Sequence, residues 1–387
     1  MTRITCVHQG YELYGSDRSF VESVRVIRAS YPQAFIEVLL PSDGPIVAPL
    51  RDFASKVTIV PLWVLRRRDL PRLATLGLLR LPLAVGRALW RLRRSDLVYV
   101  NTCVVADYLL AAGLSPGRTI VHVHEIPEGM VRQGLRALLR GSRAEIVFNS
   151  RATQAAFALP ARIGQRVVYN GIADPGAPKG MGYDGTRPLR LLMLGRISRI
   201  KGQDVLLEAL AQLPEALKHR IAVRIVGSAF EDEARERALA ETILASGLAG
   251  TVTCLPFVPD PGAHFRWADV VAVPSRLPES LGRVAIEAMA HGVPPIVSRI
   301  GGLPEVVEHG RTGWIVPPGR ADALAQALAA IIAEPDSWSG YPAAARARYE
   351  RIFAQGACAE ALSAALEGVL GARASRAPAP AGSAVYR

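Results

Sequence analysis

Lysine is nearly absent from this chain. Of 46 basic residues in 387, only Lys56, Lys179, Lys201 and Lys218 are lysine. Cysteine is as sparse: Cys6, Cys103, Cys254 and Cys358 stand far apart, with no C-x-x-C pair. That spacing excludes a disulfide framework and a zinc ribbon, and a reducing cytosol is the expected compartment. No apolar run of 18 residues goes uninterrupted, so no spanning helix is predicted. The nearest case, 97–114, carries Asn101 and Asp107 and reads as a strand followed by a helix. The opening MTRITCVHQGYE is too polar for a signal peptide. Acids are also short, 34 against 46 bases, leaving a formal charge of +12. Such a surplus suits an anionic partner: nucleic acid, a membrane surface or a phosphorylated substrate.

Apolar residues, by contrast, make up half the chain, enough for real cores. The length predicts two or three domains. Short β-branched runs at 4–8, 35–40, 56–60, 97–101, 119–123, 146–149 and 166–169 alternate with amphipathic stretches such as 17–30, 104–113 and 150–159. This alternation predicts parallel sheets with crossover helices. Residues 173–188 are rich in Gly and Pro and have no period, which marks a linker. The alternation then restarts, with strands expected at 189–194, 221–226, 251–255, 270–273, 295–298 and 313–316. Helices are expected at 203–213, 231–246, 283–291 and 321–333. The expected organisation is an N-terminal domain 1–172, a hinge 173–188 and a second α/β domain 189–350. A C-terminal helix 351–370 packing back on the first domain and a disordered tail 371–387 follow.

Three segments of the second domain carry candidate chemistry. Pro274 to Ala290 reads PSRLPESLGRVAIEAMA, with Glu279 in a loop after a strand and a helix expected from near Leu281. Amides at a helix start receive anions, Gly282 permits close approach, and carboxylates suit sugar hydroxyls. The bland alternative is a pair of solvated glutamates at a helix start. GRISRIKG, Gly195 to Gly202, places Arg196 and Lys201 at the end of a strand, as a diphosphate clamp would. It is not a Walker loop. GGLPEVVEHGRTGWIVPPG, Gly301 to Gly319, opens a short helix with Glu305 at its start.

Together these segments, with VGS around Gly227, resemble glycosyltransferase family 4, the retaining nucleotide-sugar enzymes of GT-B architecture. In the first domain YGSDRS, HVHE, FNS and YNGI show a weaker likeness. The resemblance implies an α/β GT-B fold, two Rossmann-like parallel-sheet domains facing a central cleft. It implies that Arg196 and Lys201 bind the diphosphate and that Glu287 holds the ribose. Glu279 binds donor-sugar hydroxyls, helped by amides around Ser280, Leu281 and Gly282, and Gly227 lies among the substrate-binding loops. From the first domain Gly15 and Ser16 approach the phosphates and His124 lines the sugar site. His122 competes with His124, because both fall on one face of a strand. No D-x-D segment is placed to hold a metal, and the family generally works without one, so no metal or cofactor is expected. The implied chemistry is front-face attack in which the leaving phosphate helps deprotonate the acceptor.

The stretch from Arg66 to Arg94 holds nine Arg and one Asp, two-thirds of the net charge. A helix is expected from Pro82 to Arg93, with Arg80, Arg87, Arg91 and Arg94 as a basic stripe and Leu81, Val85, Leu89 and Trp90 as its apolar side. Such a helix suits an anionic membrane surface; the alternative is a crossover helix packed on the sheet. The reading is a cytoplasmic glycosyltransferase, peripheral on the inner face of the membrane. It moves a sugar from a nucleotide donor to a glycan or lipid-linked acceptor in surface-polysaccharide or glycolipid synthesis. Competing readings are a nucleotide-sugar epimerase, a soluble disaccharide-phosphate synthase, a noncatalytic GT-B partner and a basic nucleic-acid-binding protein. The last lacks any aromatic-basic strand motif or zinc spacing, so no nucleic acid is expected.

Overall fold

The structure is a computed structural model that describes every residue except 14, 66–76, 179–181, 230–231 and 375–387; of 78 and 372–374 only the backbone is described. The chain forms two compact units. The first comprises Met1–Asn149, Thr153–Val168 and the chain from Cys358 on; the second comprises Ser150–Ala152 and Tyr169–Ala357.

The first unit is built on seven strands: β1 (Arg3–Val7), β2 (Phe35–Leu40), β3 (Lys56–Ile59), β4 (Leu97–Val100), β5 (Thr119–Val123), β6 (Glu145–Phe148) and β7 (Gln165–Val167). They form one parallel sheet in the order β3-β2-β1-β4-β5-β6-β7. Strands β4 and β5 are buried at every position, as a sheet covered on both faces requires. The principal crossover helices are α1 (Gly15–Ser30), α2 (Leu78–Arg94), α3 (Ala106–Leu114), α4 (Gly129–Ser142) and α5 (Arg151–Phe157). The order reverses between β1 and β4, and ligands of such sheets bind outside the carboxyl ends at that point.

The second unit repeats the scheme with β8 (Leu189–Leu194), β9 (Ile221–Val226), β10 (Val252–Leu255), β11 (Val270–Val273), β12 (Pro295–Ser298) and β13 (Trp314–Val316). Its parallel sheet runs β10-β9-β8-β11-β12-β13, reversing between β8 and β11. Helices α6 (Gln203–Ala211), α7 (Glu233–Ala245), α8 (Arg283–Ala290), α9 (Leu303–Val306) and α10 (Ala321–Ala333) cover it. The last helix, α11, runs Gln355–Ala374. Its Leu362, Ala365 and Leu366 join Phe20, Val24 and Ile27 in the first unit's core, and Ser363 Oγ lies 2.8 Å from Ser30 Oγ.

Several expectations shift. Helix α1 starts at Gly15 rather than Asp17, while α8 starts at Arg283, where the expected helix 283–291 put it, with Gly282 as its left-handed N-cap. The expected tail enters a helix that continues to Ala374; the rest of the tail, 375–387, lies outside the described residues, as do parts of the hinge and the segment 66–76. Helix α2 begins at Leu78, with Pro82 inside it. Pro82 is the fifth residue, so it forgoes one bond near an exposed first turn, a small loss. Trp90 does not join the packed side. Ala88 and Leu92 are buried against the sheet, with Val85 and Leu89 packed beside them, whereas Trp90 is 58% exposed and lies under the Arg94 guanidinium at 4.6 Å.

Candidate functional site

In the second unit the expected residues gather at the carboxyl ends of β8, β9 and β11. The loop after β8 is pinned from two sides. Ile197 N–H donates to Ser228 O at 3.0 Å, and Arg276 N–H donates to Ile200 O at 2.8 Å. The Gln203 amide, almost fully buried, donates through Nε2 to Arg196 O at 3.0 Å and accepts from Ser198 N–H at 3.4 Å. Gly227 has φ 147°, and a Cβ there would fall 2.1 Å from Gly195 O. Only glycine lets these two loops touch. The structure thus gives Gly227 a packing duty that brings the β8 and β9 loops together.

Lys201 and Glu279 meet across the gap between β8 and β11. Lys201 Nζ lies 2.9 Å from Glu279 Oε2, and their side chains are 24% and 12% exposed. Ser275 Oγ donates to the other carboxylate oxygen. Glu279 is therefore held at both oxygens, and its lone pairs are aimed rather than averaged. Arg196 sits at the mouth of the same loop and is exposed.

The loop that carries Glu279 rests on the Gly301–Gly302 pair. Gly302 N–H donates to Glu279 O at 2.8 Å, and a Cβ on Gly301 would stand 2.2 Å from that carbonyl. Leu281 is buried in the core, so any ligand contact it makes falls to its backbone. Ser280 and Gly282 continue the loop into α8, whose N-cap residue, Gly282, has no side chain to cap the first turn. An uncapped helix start of this kind offers N–H groups and positive dipole to an anion. One turn in, Glu287 accepts from Arg283 Nε at 2.8 Å. The i, i+4 spacing was there to be read in the sequence, yet Arg283 and the orienting roles of Ser275 and Gln203 were not foreseen.

Glu305 is engaged by backbone and side-chain donors of its own unit. Its carboxylate accepts from the amides of Arg151 at 2.9 Å and Ala152 at 2.6 Å and from Tyr169 Oη at 3.0 Å.

In the first unit the carboxyl ends of β1, β4 and β5 carry a polar cluster. Gly15 and Ser16 are exposed at the start of α1, which follows β1; Tyr14 of the same motif lies outside the described residues. His122 is 2% exposed, with Nδ1 2.6 Å from Tyr99 Oη. Burial holds its imidazole down to about 3. His124 is less enclosed and lies against it, ring centroids 4.1 Å apart. Burial, then the neighbouring His122 and His8, push His124 well below the usual imidazole range, so it too is neutral at pH 7. The HVHE motif ends in Glu125, which accepts from Thr102 Oγ1 at 2.5 Å, Gln9 Nε2 at 3.3 Å and His124 N–H at 3.0 Å. His8, Asp17 and Asn101, which complete this cluster, were not singled out as site residues from the sequence, although His8 and Asn101 each directly follow a buried strand and Asp17 lies in the first turn of α1.

Among the described residues, no group of three or more His, Cys, Asp or Glu side chains could hold a metal ion.

Two Rossmann-like parallel sheets, each with its polar loops at the carboxyl edge, define the GT-B fold. The solved structure of Anabaena Alr3699/HepE in complex with UDP superposes with a TM-score of 0.78 at 23% identity, over 95% of this chain and 100% of that one. The same protein in complex with UDP-glucose gives 0.75 at 24% identity, over 95% and 100%. These likenesses bear on fold. The family model described as Glycosyl transferases group 1 matches residues 185–349. A D-inositol 3-phosphate glycosyltransferase of Rhodococcus opacus (strain B4) is 42% identical over 147 residues, 37% of this chain and 32% of the relative. The chain thus spans about a third of the length of the curated relatives it matches.

Proposed function

We propose that this chain is a retaining, metal-independent glycosyltransferase that moves a sugar from a nucleotide donor to a glycan or lipid-linked acceptor. The observation that carries the reading is the Lys201–Glu279 pair beside the uncapped start of α8. In the reaction the bond between the sugar's C1 and the diphosphate oxygen breaks. A bond from C1 to the acceptor hydroxyl oxygen forms on the same face, and the hydroxyl proton ends on the departing diphosphate. Negative charge therefore grows on the leaving group. Lys201, Arg196 and the α8 amides oppose it, and each well-placed donor of this kind contributes roughly 10²–10³ in rate. Glu287 receives ribose hydroxyls and Glu279 those of the donor sugar. Gly15 and Ser16 serve the phosphates, and His124, rather than the more deeply buried His122, serves the sugar. The relation to a UDP-binding GT-B protein favours a UDP-sugar donor.

Helix α2 supports a membrane-associated acceptor, of the kind used in surface-polysaccharide or glycolipid assembly. On its outer side Leu79, Leu83 and Trp90 are exposed and fall within about 40° of one another at 100° per residue. Exposed Arg80, Arg87, Arg93 and Arg94 flank them. A helix with an apolar strip between arginines settles in the headgroup layer of anionic membrane, here the inner leaflet.

The test is a thermal-shift series with UDP, GDP, ADP and their sugars, followed by transfer assays with and without EDTA. A ligand at 100 times its Kd stabilises by about 2.7 kcal/mol. A shift with one nucleotide series, and transfer that survives EDTA, are expected. No shift with any nucleoside diphosphate would refute the reading.

A further inference from the structure

We propose that a cavity at the amino ends of β5, β6 and β7 binds a small phosphate ester, at a site apart from the one that would serve the nucleotide sugar.

The cavity measures about 420 Å³, within the range of small-molecule pockets, and its described walls belong to the first unit. Strands β5 and β6 reach it with their first residues, Thr119 and Glu145, and β7 with Arg166. Parallel strands begin on one edge, so this is the edge opposite His124 and Glu125. At about 3.3 Å per residue, Thr119 and Glu125 stand roughly 20 Å apart. A ligand here therefore does not share the polar cluster beyond β5.

Among the described residues, three guanidiniums and one carboxylate line the cavity, a surplus of two positive charges. Arg118 is held from behind: its Nη1 donates to Arg93 O at 3.1 Å and to Ser95 O at 3.3 Å, which leaves Nε and Nη2 to donate elsewhere. Arg166 is oriented by Glu145, which accepts from its Nε at 2.9 Å. Its Nη2 lies beside α11, 3.6 Å from where a Cβ on Gly368 would stand. Gly164 makes room for the orienting carboxylate, since a Cβ there would fall 2.0 Å from Glu145 Oε2. Arg143 pairs with none of the described residues, and it ends α4 at φ 52°. Glycine or asparagine is the ordinary residue in that conformation. The chain thus holds a guanidinium where the backbone favours none. Thr119 is 2% exposed, and its Oγ1 has no hydrogen-bond partner among the described residues. Buried hydroxyls are ordinarily paired, and a ligand oxygen would complete this one.

Guanidinium forks match phosphate oxygens, and a phosphomonoester near pH 7.5 carries close to two negative charges, which balances the surplus. Pro116 and Val369 add apolar wall beside the arginines, which suits a short carbon skeleton rather than a free ion.

Isothermal titration of the full chain at low salt tests this, with sn-glycerol 3-phosphate and inorganic phosphate as probes. Wild type should bind glycerol 3-phosphate saturably and more tightly than inorganic phosphate. Arg143→Gly suits the left-handed backbone and should melt no lower than wild type. Its affinity should nonetheless fall about 10–100-fold, the loss of one charge-assisted contact. Arg166→Gln should lose as much. Lys201→Ala, in the second unit, should keep the affinity within about twofold. No saturable binding to wild type overturns the site. So does binding that Lys201→Ala abolishes and Arg143→Gly leaves intact, which would put the anion in the second unit. Inorganic phosphate binding as tightly as glycerol 3-phosphate, or more so, overturns the ester as the occupant.

Discussion

Replacing the exposed arginines of α2 is the most direct test of what that helix is for. Arg80, Arg87, Arg93 and Arg94 are exposed, and none is needed for the buried contacts that Ala88 and Leu92 make with the sheet. Near an anionic bilayer each basic side chain contributes about 1 kcal/mol. Changing all four to Ala should therefore cost about 4 kcal/mol, roughly a 10³-fold loss of partitioning. The apolar strip adds a charge-independent part. A Trp side chain offers roughly 150–250 Å². At 58% exposure about 120 Å² of Trp90 is free to leave water, worth about 3 kcal/mol at about 25 cal/mol per Å². Leu79→Ser, Leu83→Ser and Trp90→Ser together should weaken binding to neutral and anionic vesicles alike, whereas the arginine variant should fail only on anionic ones. Co-sedimentation with phosphatidylglycerol and phosphatidylcholine vesicles at low and high salt separates the two terms. Near-identical melting temperatures of wild type and variants would show that the fold is unharmed. If the four-Ala variant pellets with anionic vesicles as wild type does, α2 is only a crossover helix.

Other outcomes follow from the same geometry. Lys201→Ala and Glu279→Ala should each lower kcat by about 10²–10³, measured as sugar transfer, with melting temperature nearly unchanged; unaltered transfer would move the site elsewhere. Asp107 lies at the start of α3, and burial raises its carboxyl to about 6. Between pH 4 and 6 it keeps a proton that the unfolded chain has lost, so its share of stability is present at pH 4 and disappears as pH rises through 6. His122 and His124 act oppositely: depressed in the fold, they contribute stability above pH 6.5 that is lost as pH falls. Asp107→Asn should then steepen the rise of unfolding free energy from pH 4 to 6 by about 1.4 kcal/mol per unit, one proton's worth, and urea melts at three pH values measure it. Arg187 grips Asp269 with both terminal nitrogens, at 2.5 and 2.8 Å, and the Asp269 side chain is 1% exposed. Arg187→Met should cost about 1.5–3 kcal/mol, the guanidinium's share, because Asp269 Oδ2 still accepts from Arg190 N–H at 2.9 Å; a loss below about 0.5 kcal/mol in denaturant melts would refute the assigned pairing.

Most of the fold was legible because parallel strands are short, apolar and punctuated. The runs at 35–40, 189–194, 221–226, 270–273 and 295–298 coincide with strands of the structure. Ends were less legible. Periodicity cannot see that Gly282 turns left-handed before α8 or that α1 reaches back to Gly15, since both depend on loops folded against them. Trp90 was misplaced because a helix with two apolar strips has no unique inside; only the sheet decides which strip packs. In the site, Arg196, Lys201, Glu279 and Glu287 were singled out through the resemblance that their motifs carry, spacing alone being too common to mark them. Asn101 and His8 were not, because a lone polar residue at a strand end acquires meaning only through neighbours about 90 residues away.

The route of the chain through α11 has a consequence for biogenesis. Leu362, Ala365 and Leu366 complete a core whose other members begin at Ile4. The second unit, by contrast, is drawn almost wholly from one uninterrupted span, Tyr169–Ala357. On the ribosome the first unit emerges before the second yet stays unfinished, with Phe20, Val24 and Ile27 awaiting a helix synthesised after the second unit. The second unit can close before it. Order of synthesis and order of completion are thus reversed: the N-terminal half is sealed by a helix that lies beyond the second unit in the chain.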